Sequence, residues 1–437
     1  MTSVFDSPTY KRIRKAYVTQ CTEEHLLHLL LVDAFLVKLL SHLGLGDAMI
    51  GIISSFASFA FIFELLSLFL LRTKISTKKI VVTADVLSQV LFMLLYFIPF
   101  LPLDETVRKL LVMAFIMIAY VGKNAVLSLY FKWANAYVED NKRAIFSARK
   151  EIISLAAGIV FSAVMGYAID KYESIGNIKG GFLFIAISML ALNIINFITL
   201  MMIKDEDAGE RSSMRVSMGE VFHHIGTNKL FLRYMLISLL MSFAGGLING
   251  FVGVYKVNDL LMSVLLIQII NIAGDFFRMI VSEPIARYST TRGFAKGIQL
   301  AGYLTIIAFA LIVFTTRTTW WLIIIYTFVF KAAAAGSSQN SFNISYTLLP
   351  TKYMTQAMAV NRTMVGLITF VGALIGGRVV GAVQANGNMV FGIHIYAQQI
   401  LALFAIIIYI VYLLLNQNLV IKPLEYMGGR VIFDKED

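Results

Sequence analysis

Ionisable side chains interrupt several long apolar runs in this chain of 437 residues. Asp33 and Lys38 lie within LLVDAFLVKLL, Lys123 lies within YVGKNAV, and Lys331 lies within VFKAAAAGSSQN. A charge in hydrocarbon is costly, so such residues usually bind a solute, carry a proton or pair with another charge. A desolvated carboxyl group can take up a proton near neutral pH, and a lysine attracts anions. These residues are therefore suited to binding ions and solutes within a membrane.

Two of the lysines lie deep within their apolar runs. At the rise of an α-helix, Lys123 lies about 20 Å from one end of its run and Lys331 about 16 Å. The small polar residues after Lys331 suit a cavity wall better than a lipid-facing surface. The alternative is that both lysines form ion pairs that hold helices together. The candidate cavity residues are Asp33, Lys38, Lys123, Asn124, Lys331, Ser337, Ser338, Gln339 and Asn340.

Asp33 has two interpretations that the sequence leaves open. It is either a proton site or the carboxylate that neutralises Lys123 or Lys331. Asp33 and Lys38 are five residues apart and point to different sides of a helix, so they are not expected to pair with each other.

A second group of charges lies toward the ends of the apolar runs. Asp275 and Arg278 are three residues apart, so they are expected to pair on one helix. Glu283 and Arg287 lie at the end of the same run, and Glu64 is a similar candidate. We expect gating or structural roles for Arg72, Glu64, Arg149, Asp275, Arg278, Glu283, Arg287 and Arg362.

The composition is that of a polytopic membrane protein. Hydrophobic residues make up 58% of the chain and charged residues only 14%, which excludes an ordinary soluble domain. The net charge of +11 suits loops that face an anionic leaflet, and no basic stripe indicates nucleic acid. The single cysteine excludes an intrachain disulfide, and His25 and His28 lack a third metal ligand. Nucleotide-binding and hydrolase motifs are absent, so no catalytic residue, metal or cofactor is expected.

The apolar runs predict twelve transmembrane helices in an all-α fold. Placing both termini in the cytoplasm gives roughly four times as many lysines and arginines on inner loops as on outer loops. The polar segment 204–230 lies near the middle of the chain, and its part 216–225 is expected to form an amphipathic helix. The predicted spans are 20–43, 47–71, 80–102, 109–132, 149–170, 181–203, 231–253, 260–283, 297–316, 320–346, 356–383 and 393–415.

An internal repeat divides the chain into two halves. Arg72 opens RTKISTKK, and Arg287 opens RYSTTRG about 215 residues later. Gly122 and Gly336 are separated by nearly the same distance along the chain. Such a repeat predicts two pseudo-symmetric six-helix bundles.

These features together resemble the major facilitator superfamily of secondary transporters. LRTKISTKK is similar to the loop motif G-x-x-x-D-R-x-G-R-K of that family, with Arg72, Lys78 and Lys79 in place but Leu71 at the Asp position. The resemblance implies bundles at 17–203 and 231–416, joined by the linker 204–230 and followed by the tail 417–437. It also implies a central cavity lined by spans 1, 4, 7 and 10, with spans 3, 6, 9 and 12 facing lipid. The glycine-rich spans 5, 7 and 11 are expected to pack between the halves.

The expected function is secondary active transport of a small solute by alternating access. Because no ATP-binding motif is present, the expected driving force is an ion or solute gradient, with a proton or sodium as the coupling ion and Asp33 as the basis for a proton. The expected protein is a multi-pass monomer of the cell membrane. The lysines favour an anionic substrate, although a neutral sugar or an amphiphilic drug remains open. The alternative from another class is a membrane enzyme or sensor without transport activity.

Overall fold

The computed structural model describes residues 7–70, 75–138, 143–204, 218–349, 351–390 and 392–426. These ranges are predominantly helical, and their strands β1 (Met389–Val390) and β2 (Ile393–His394) form a short antiparallel hairpin. The helices in the first part of the chain are α1 (Pro8–Leu30), α2 (Asp33–His42), α3 (Asp47–Ser54), α4 (Phe56–Phe59), α5 (Glu64–Leu70), α6 (Thr77–Leu95), α7 (Glu105–Ala125), α8 (Leu127–Asn135), α9 (Arg143–Ser174) and α10 (Ile178–Met202). The remaining helices are α11 (Met218–Thr227), α12 (Lys229–Val254), α13 (Val264–Arg292), α14 (Phe294–Val313), α15 (Leu322–Leu348), α16 (Thr351–Ala385), α17 (Ala397–Asn416) and α18 (Lys422–Tyr426).

Nine helical stretches in the described residues are long and apolar enough to cross a membrane, and the bent pair α1–α2 makes a tenth. The tenth is bent by 47° at the break between its two helices. The predicted runs 80–102 and 109–132 also hold helices, namely α6 and the pair α7–α8. The apolar stretches of these helices are more highly charged than those of the nine spans, because α6 holds Lys78, Lys79 and Asp85, and α7 holds Arg108, Lys109 and Lys123.

The final apolar run differs from the prediction at its start. Residues 393 and 394 form strand β2, and α17 begins only at Ala397. Asn388 and Gly392 have positive φ angles of 59° and 78°, which turn the chain into a hairpin ahead of the helix. The prediction that helix begins at residue 393 is therefore wrong, because the turn residues outweigh the hydrophobicity of the segment.

The chain divides into two compact units. The first contains Met1–Met214 with Met262–Gln268, and the second contains Arg215–Leu261 with Ile269–Asp437. An aromatic core that includes Trp133 packs inside the first unit, and the indole of Trp133 donates a 2.7 Å hydrogen bond to the carbonyl oxygen of Lys204. This contact fixes the end of α10 against α8.

The break between α1 and α2 is supported from the segment between α6 and α7. A break leaves carbonyl groups of the last helical turn without their usual partners. The buried hydroxyl of Tyr96 donates a hydrogen bond to the carbonyl oxygen of Leu30, the last residue of α1. Asp33 then opens α2 with a positive φ of 49°, which is strained for a residue other than glycine.

We expect Tyr96→Phe to destabilise the protein by about 1–3 kcal/mol, because the Leu30 carbonyl would lose its hydrogen-bond donor. Thermal unfolding of the purified protein measures this as a lower melting temperature. Tyr167→Phe is the control, since its ring is exposed. Equal melting temperatures for the two variants would show that the Tyr96 hydroxyl does not support the break.

Candidate functional site

The first unit holds an ion pair between α1 and α7. Lys123 Nζ lies 2.8 Å from Glu24 Oε1, and the two side chains are 22% and 26% exposed. Gly122 allows α7 to approach α6 closely, because a Cβ atom there would lie 2.6 Å from Ser88 Oγ. Lys123 is therefore held by packing beside α6 and paired with a carboxylate from α1.

A buried network of polar side chains lies next to this ion pair. The Gln89 amide donates to Glu23 Oε2 at 3.2 Å and to Asp85 Oδ2 at 3.4 Å. Asn196 donates to the same Asp85 oxygen at 2.6 Å, and Asn193 donates to the backbone carbonyl of Gln89 at 3.2 Å. All five residues are buried, and they come from α1, α6 and α10. We call this set of five residues the polar cluster.

The polar cluster and the ion pair are in contact. The carboxyl groups of Asp85 and Glu24 are hydrogen-bond neighbours. In the described part of this unit, the carboxyl groups of Glu23, Glu24 and Asp85 thus adjoin the ammonium group of Lys123, which is suited to exchange of protons or cations.

The second unit holds an ion pair between α13 and α15. Lys331 Nζ lies 2.6 Å from Asp275 Oδ1, and the side chains are 27% and 33% exposed. Gly274 brings the two helices together, because a Cβ atom there would lie 2.9 Å from Thr327 Cγ2. The sequence predicted a partner for Asp275 on its own helix, at Arg278. The structure instead pairs Asp275 with Lys331, and Arg278 is half-buried.

The polar residues near the two lysines have different environments. Asn124 is buried and donates a 2.8 Å hydrogen bond to the carbonyl oxygen of Tyr120. Asn340 is also buried, and a Cβ atom at Gly297 would lie 2.4 Å from its Nδ2 atom, so this side chain packs between α15 and α14. Along the same helix, Ser337 is half-buried, and Ser338 and Gln339 are exposed.

Asp33 and Lys38 lie on α2, the second helix of the bent pair. Lys38 lies 2.6 Å from Glu173, near the end of α9. Asp33 is half-buried at the start of α2. The ion-pair partners of Lys123 and Lys331 are Glu24 and Asp275.

The other predicted charges are dispersed. Glu283 and Arg287 form a 2.5 Å pair one turn apart on α13, and their side chains are 69% and 78% exposed. Glu64 is buried and accepts a 3.1 Å hydrogen bond from Ser128 Oγ. Arg149 on α9 and Arg362 on α16 are exposed, and Arg72 lies outside the described residues.

Sequence reasoning missed Glu23 and Asp85. The rule that selected Lys123, a charge inside an apolar run, also applies to Asp85 in the run 80–102. Glu23 directly precedes Glu24 in CTEEHLL, and the pair faces both the network and the lysine. The signal was present, but which helices would be neighbours could not be read from the spacing.

The expected packing of glycines between the halves is wrong for three glycines of the second unit. A Cβ atom at Gly246 would lie 2.1 Å from the carbonyl oxygen of Thr369, and one at Gly376 would lie 2.4 Å from that of Leu247. Gly372 makes a similar approach to the carbonyl oxygen of Phe243. These glycines set the contact between α12 and α16 inside one unit.

Within the described ranges, histidine, cysteine and acidic side chains form no group of three that is placed to hold a metal ion. The polar groups described above are ion pairs, together with buried carboxyl groups and amide groups.

Solved structures of several membrane transporters share the fold of this chain. Its fold matches a point mutant of the nucleoside transporter NupG, with a TM-score of 0.72 and 14% identity over 93% of this chain and 99% of that one. It also matches a bacterial homologue of the human lysosomal transporter Spinster, with a TM-score of 0.66 and 12% identity over 95% and 98% of the two chains. A mutant of the peptide transporter POT, in complex with alafosfalin, gives 0.64 and 12% over 95% and 96%. No curated protein sequence matches the chain.

The sequence profile of the Major Facilitator Superfamily matches residues 30–373. The chain belongs to this family, as its loop motifs and repeat predicted. Membership of the family makes it a multi-pass integral membrane transporter rather than an enzyme.

Proposed function

We propose that this protein is a secondary active transporter that moves a small solute with an anionic group by alternating access. The family and the lysine-containing ion pair in each unit support this proposal. The proposed arrangement is twelve spans with both termini in the cytoplasm, in bundles 17–203 and 231–416 of a monomer. The names of the structural neighbours include nucleoside and peptide transporters, and at 14% identity or less they do not choose a substrate class.

The two paired lysines are the reason for proposing that the solute has an anionic group. Each ammonium group is within hydrogen-bond distance of one carboxylate and remains partly accessible. A carboxylate or phosphate on the solute has the same chemistry as Glu24 or Asp275, so it can take the place of either as the partner of the lysine. The released protein carboxylate then becomes free to bind a proton or a cation.

Ion coupling follows from this exchange in the first unit. Glu24 contacts both Lys123 and Asp85, so breaking the ion pair changes the charge balance of the polar cluster. An uncompensated carboxylate in hydrocarbon is costly, which favours uptake of a positive ion together with the solute. The proposed coupling ion is therefore a proton or a sodium ion, as expected from the sequence.

Transport by proteoliposomes tests the proposed function. Labelled organic acids and phosphorylated metabolites would be screened for uptake driven by an imposed proton or sodium gradient, with labelled neutral sugars as the comparison class. We expect gradient-dependent accumulation of an anionic solute and none in protein-free liposomes. Accumulation of neutral sugars alone would contradict the anionic substrate, and substrate turnover without flux would contradict transport.

A further inference from the structure

Several oxygen atoms of the polar cluster accept no hydrogen bond from the residues that the structure describes. They are Glu23 Oε1, Gln89 Oε1, Asn193 Oδ1 and Asn196 Oδ1. Gln89 and Asn196 are 0% exposed, Glu23 is 1% exposed and Asn193 is 8% exposed. Buried polar atoms are normally paired, so four such acceptors in one connected cluster indicate a missing positively charged or hydrogen-bond-donating group.

The orientation of the amide groups is fixed by their own hydrogen bonds. Asn196 and Gln89 direct their NH₂ groups to the Asp85 carboxylate, and Asn193 directs its NH₂ group to a carbonyl oxygen. Reversing Asn196 would set its oxygen against the Asp85 carboxylate. The amide oxygens therefore cannot be satisfied by turning the amides, because each NH₂ group is held by an acceptor.

The chemistry of these atoms distinguishes between possible occupants. A proton on Glu23 would supply a single donor, which satisfies its own oxygen and one other acceptor. An alkali-metal cation coordinates several oxygens at once and accepts carboxylate and amide ligands alike. Transition metals prefer imidazole and thiolate ligands, and the polar cluster contains no histidine or cysteine.

The charge of the carboxyl groups favours the same occupant, an alkali-metal cation. The ammonium group of Lys123 is paired with Glu24. Glu23 is buried and forms no ion pair within the described residues, so its ionised carboxylate requires a countercharge. One monovalent cation balances the charge of this carboxylate.

We propose that the polar cluster, formed by Glu23, Asp85, Gln89, Asn193 and Asn196, binds one alkali-metal cation within the first unit. The assignment of this cation as the coupling ion of transport rests on the proposed function, whereas the binding of the cation does not. The link to the solute runs through Glu24, which touches Asp85 in the cluster and Lys123 in the ion pair.

The binding experiment uses the purified full-length protein and no transported solute. Thermal unfolding is followed in NaCl and in KCl, against N-methyl-D-glucamine chloride of equal ionic strength. A cation that binds only the folded protein raises its stability by mass action, so we expect a saturable rise in melting temperature of about 2 °C or more in NaCl or KCl. Binding of radioactive ²²Na⁺ to the same protein provides the direct measurement.

Glu23→Gln tests the site with almost no change in shape, and Glu220→Gln on the exposed face of α11 is the matched control. We expect the first variant to lose the cation-dependent rise and the second to retain it. Identical melting temperatures of the native protein in all three salts, without ²²Na⁺ binding, would overturn the cation site, as would full retention of the rise in Glu23→Gln.

The two proposals can fail separately. Cation-dependent stabilisation without flux of any solute would contradict transport while supporting the site. Solute flux in a protein that shows no cation-specific stabilisation would support transport and refute the site.

Discussion

Replacing Lys123 or Lys331 with methionine is expected to reduce solute flux by at least about 100-fold, while the protein still inserts and folds. Each substitution removes the ammonium group that we propose to bind the anionic group of the solute. Loss of a charge-assisted hydrogen bond of about 3 kcal/mol corresponds to a factor of about 100 in affinity. Uptake into proteoliposomes measures the effect, and Lys296→Met is the control because Lys296 pairs with Glu425 near the ends of α14 and α18. Normal flux in both variants would refute the role of the lysines.

A double variant distinguishes a structural role of Lys123 from a role in binding the solute. The single change leaves Glu24 without its partner, which by itself can destabilise the protein. Glu24→Gln combined with Lys123→Met removes both charges together. If the lysine served only to neutralise Glu24, the double variant would exchange solute in a counterflow assay, which needs no ion gradient. We expect the double variant to recover stability but not exchange.

The helices were predictable because hydrophobicity is a property of each segment by itself. Twenty apolar residues require a helix in hydrocarbon whatever its neighbours are, so α9, α10 and α12 lie where the apolar runs predict them. The break at residues 31 and 32 was not predictable in this way. LLHLLLVDAF contains no glycine or proline at the break, and the hydroxyl that supports the break comes from Tyr96, far along the chain.

The sequence predicted which residues belong to the candidate site better than it predicted which of them form pairs. Charge within an apolar run identified Lys123, Lys331 and Asp275, and the two lysines are paired as one of the alternatives required. Helical periodicity states which residues share a face, but it does not state which helix lies opposite. Asp85 was overlooked because span 3 was expected to face lipid, whereas its side chain is buried against Asn196 of α10.

Gly246→Ala is expected to destabilise the second unit severely, because the new methyl group has no space. Its Cβ atom would lie 2.1 Å from the carbonyl oxygen of Thr369, and this oxygen belongs to the backbone of α16. A flexible side chain could rotate away, but a helix backbone must move as a whole. The movement would also open the reciprocal contacts at Gly372 and Gly376. Overpacking costs about 1–3 kcal/mol or more, which corresponds to a fall in melting temperature of roughly 2–12 °C.

Gly245→Ala is the matched control for this prediction, since Gly245 is the preceding residue on the same helix. A Cβ atom at Gly245 would meet only the end of the Asn249 side chain, at 3.1 Å, and that side chain can shift. The two substitutions add the same methyl group and the same gain in helix propensity. Fluorescence-detected size exclusion and thermal unfolding should therefore show a folded Gly245→Ala protein and a depleted or early-melting Gly246→Ala protein. Equal behaviour of the two variants would mean that α12 and α16 do not approach each other through Gly246.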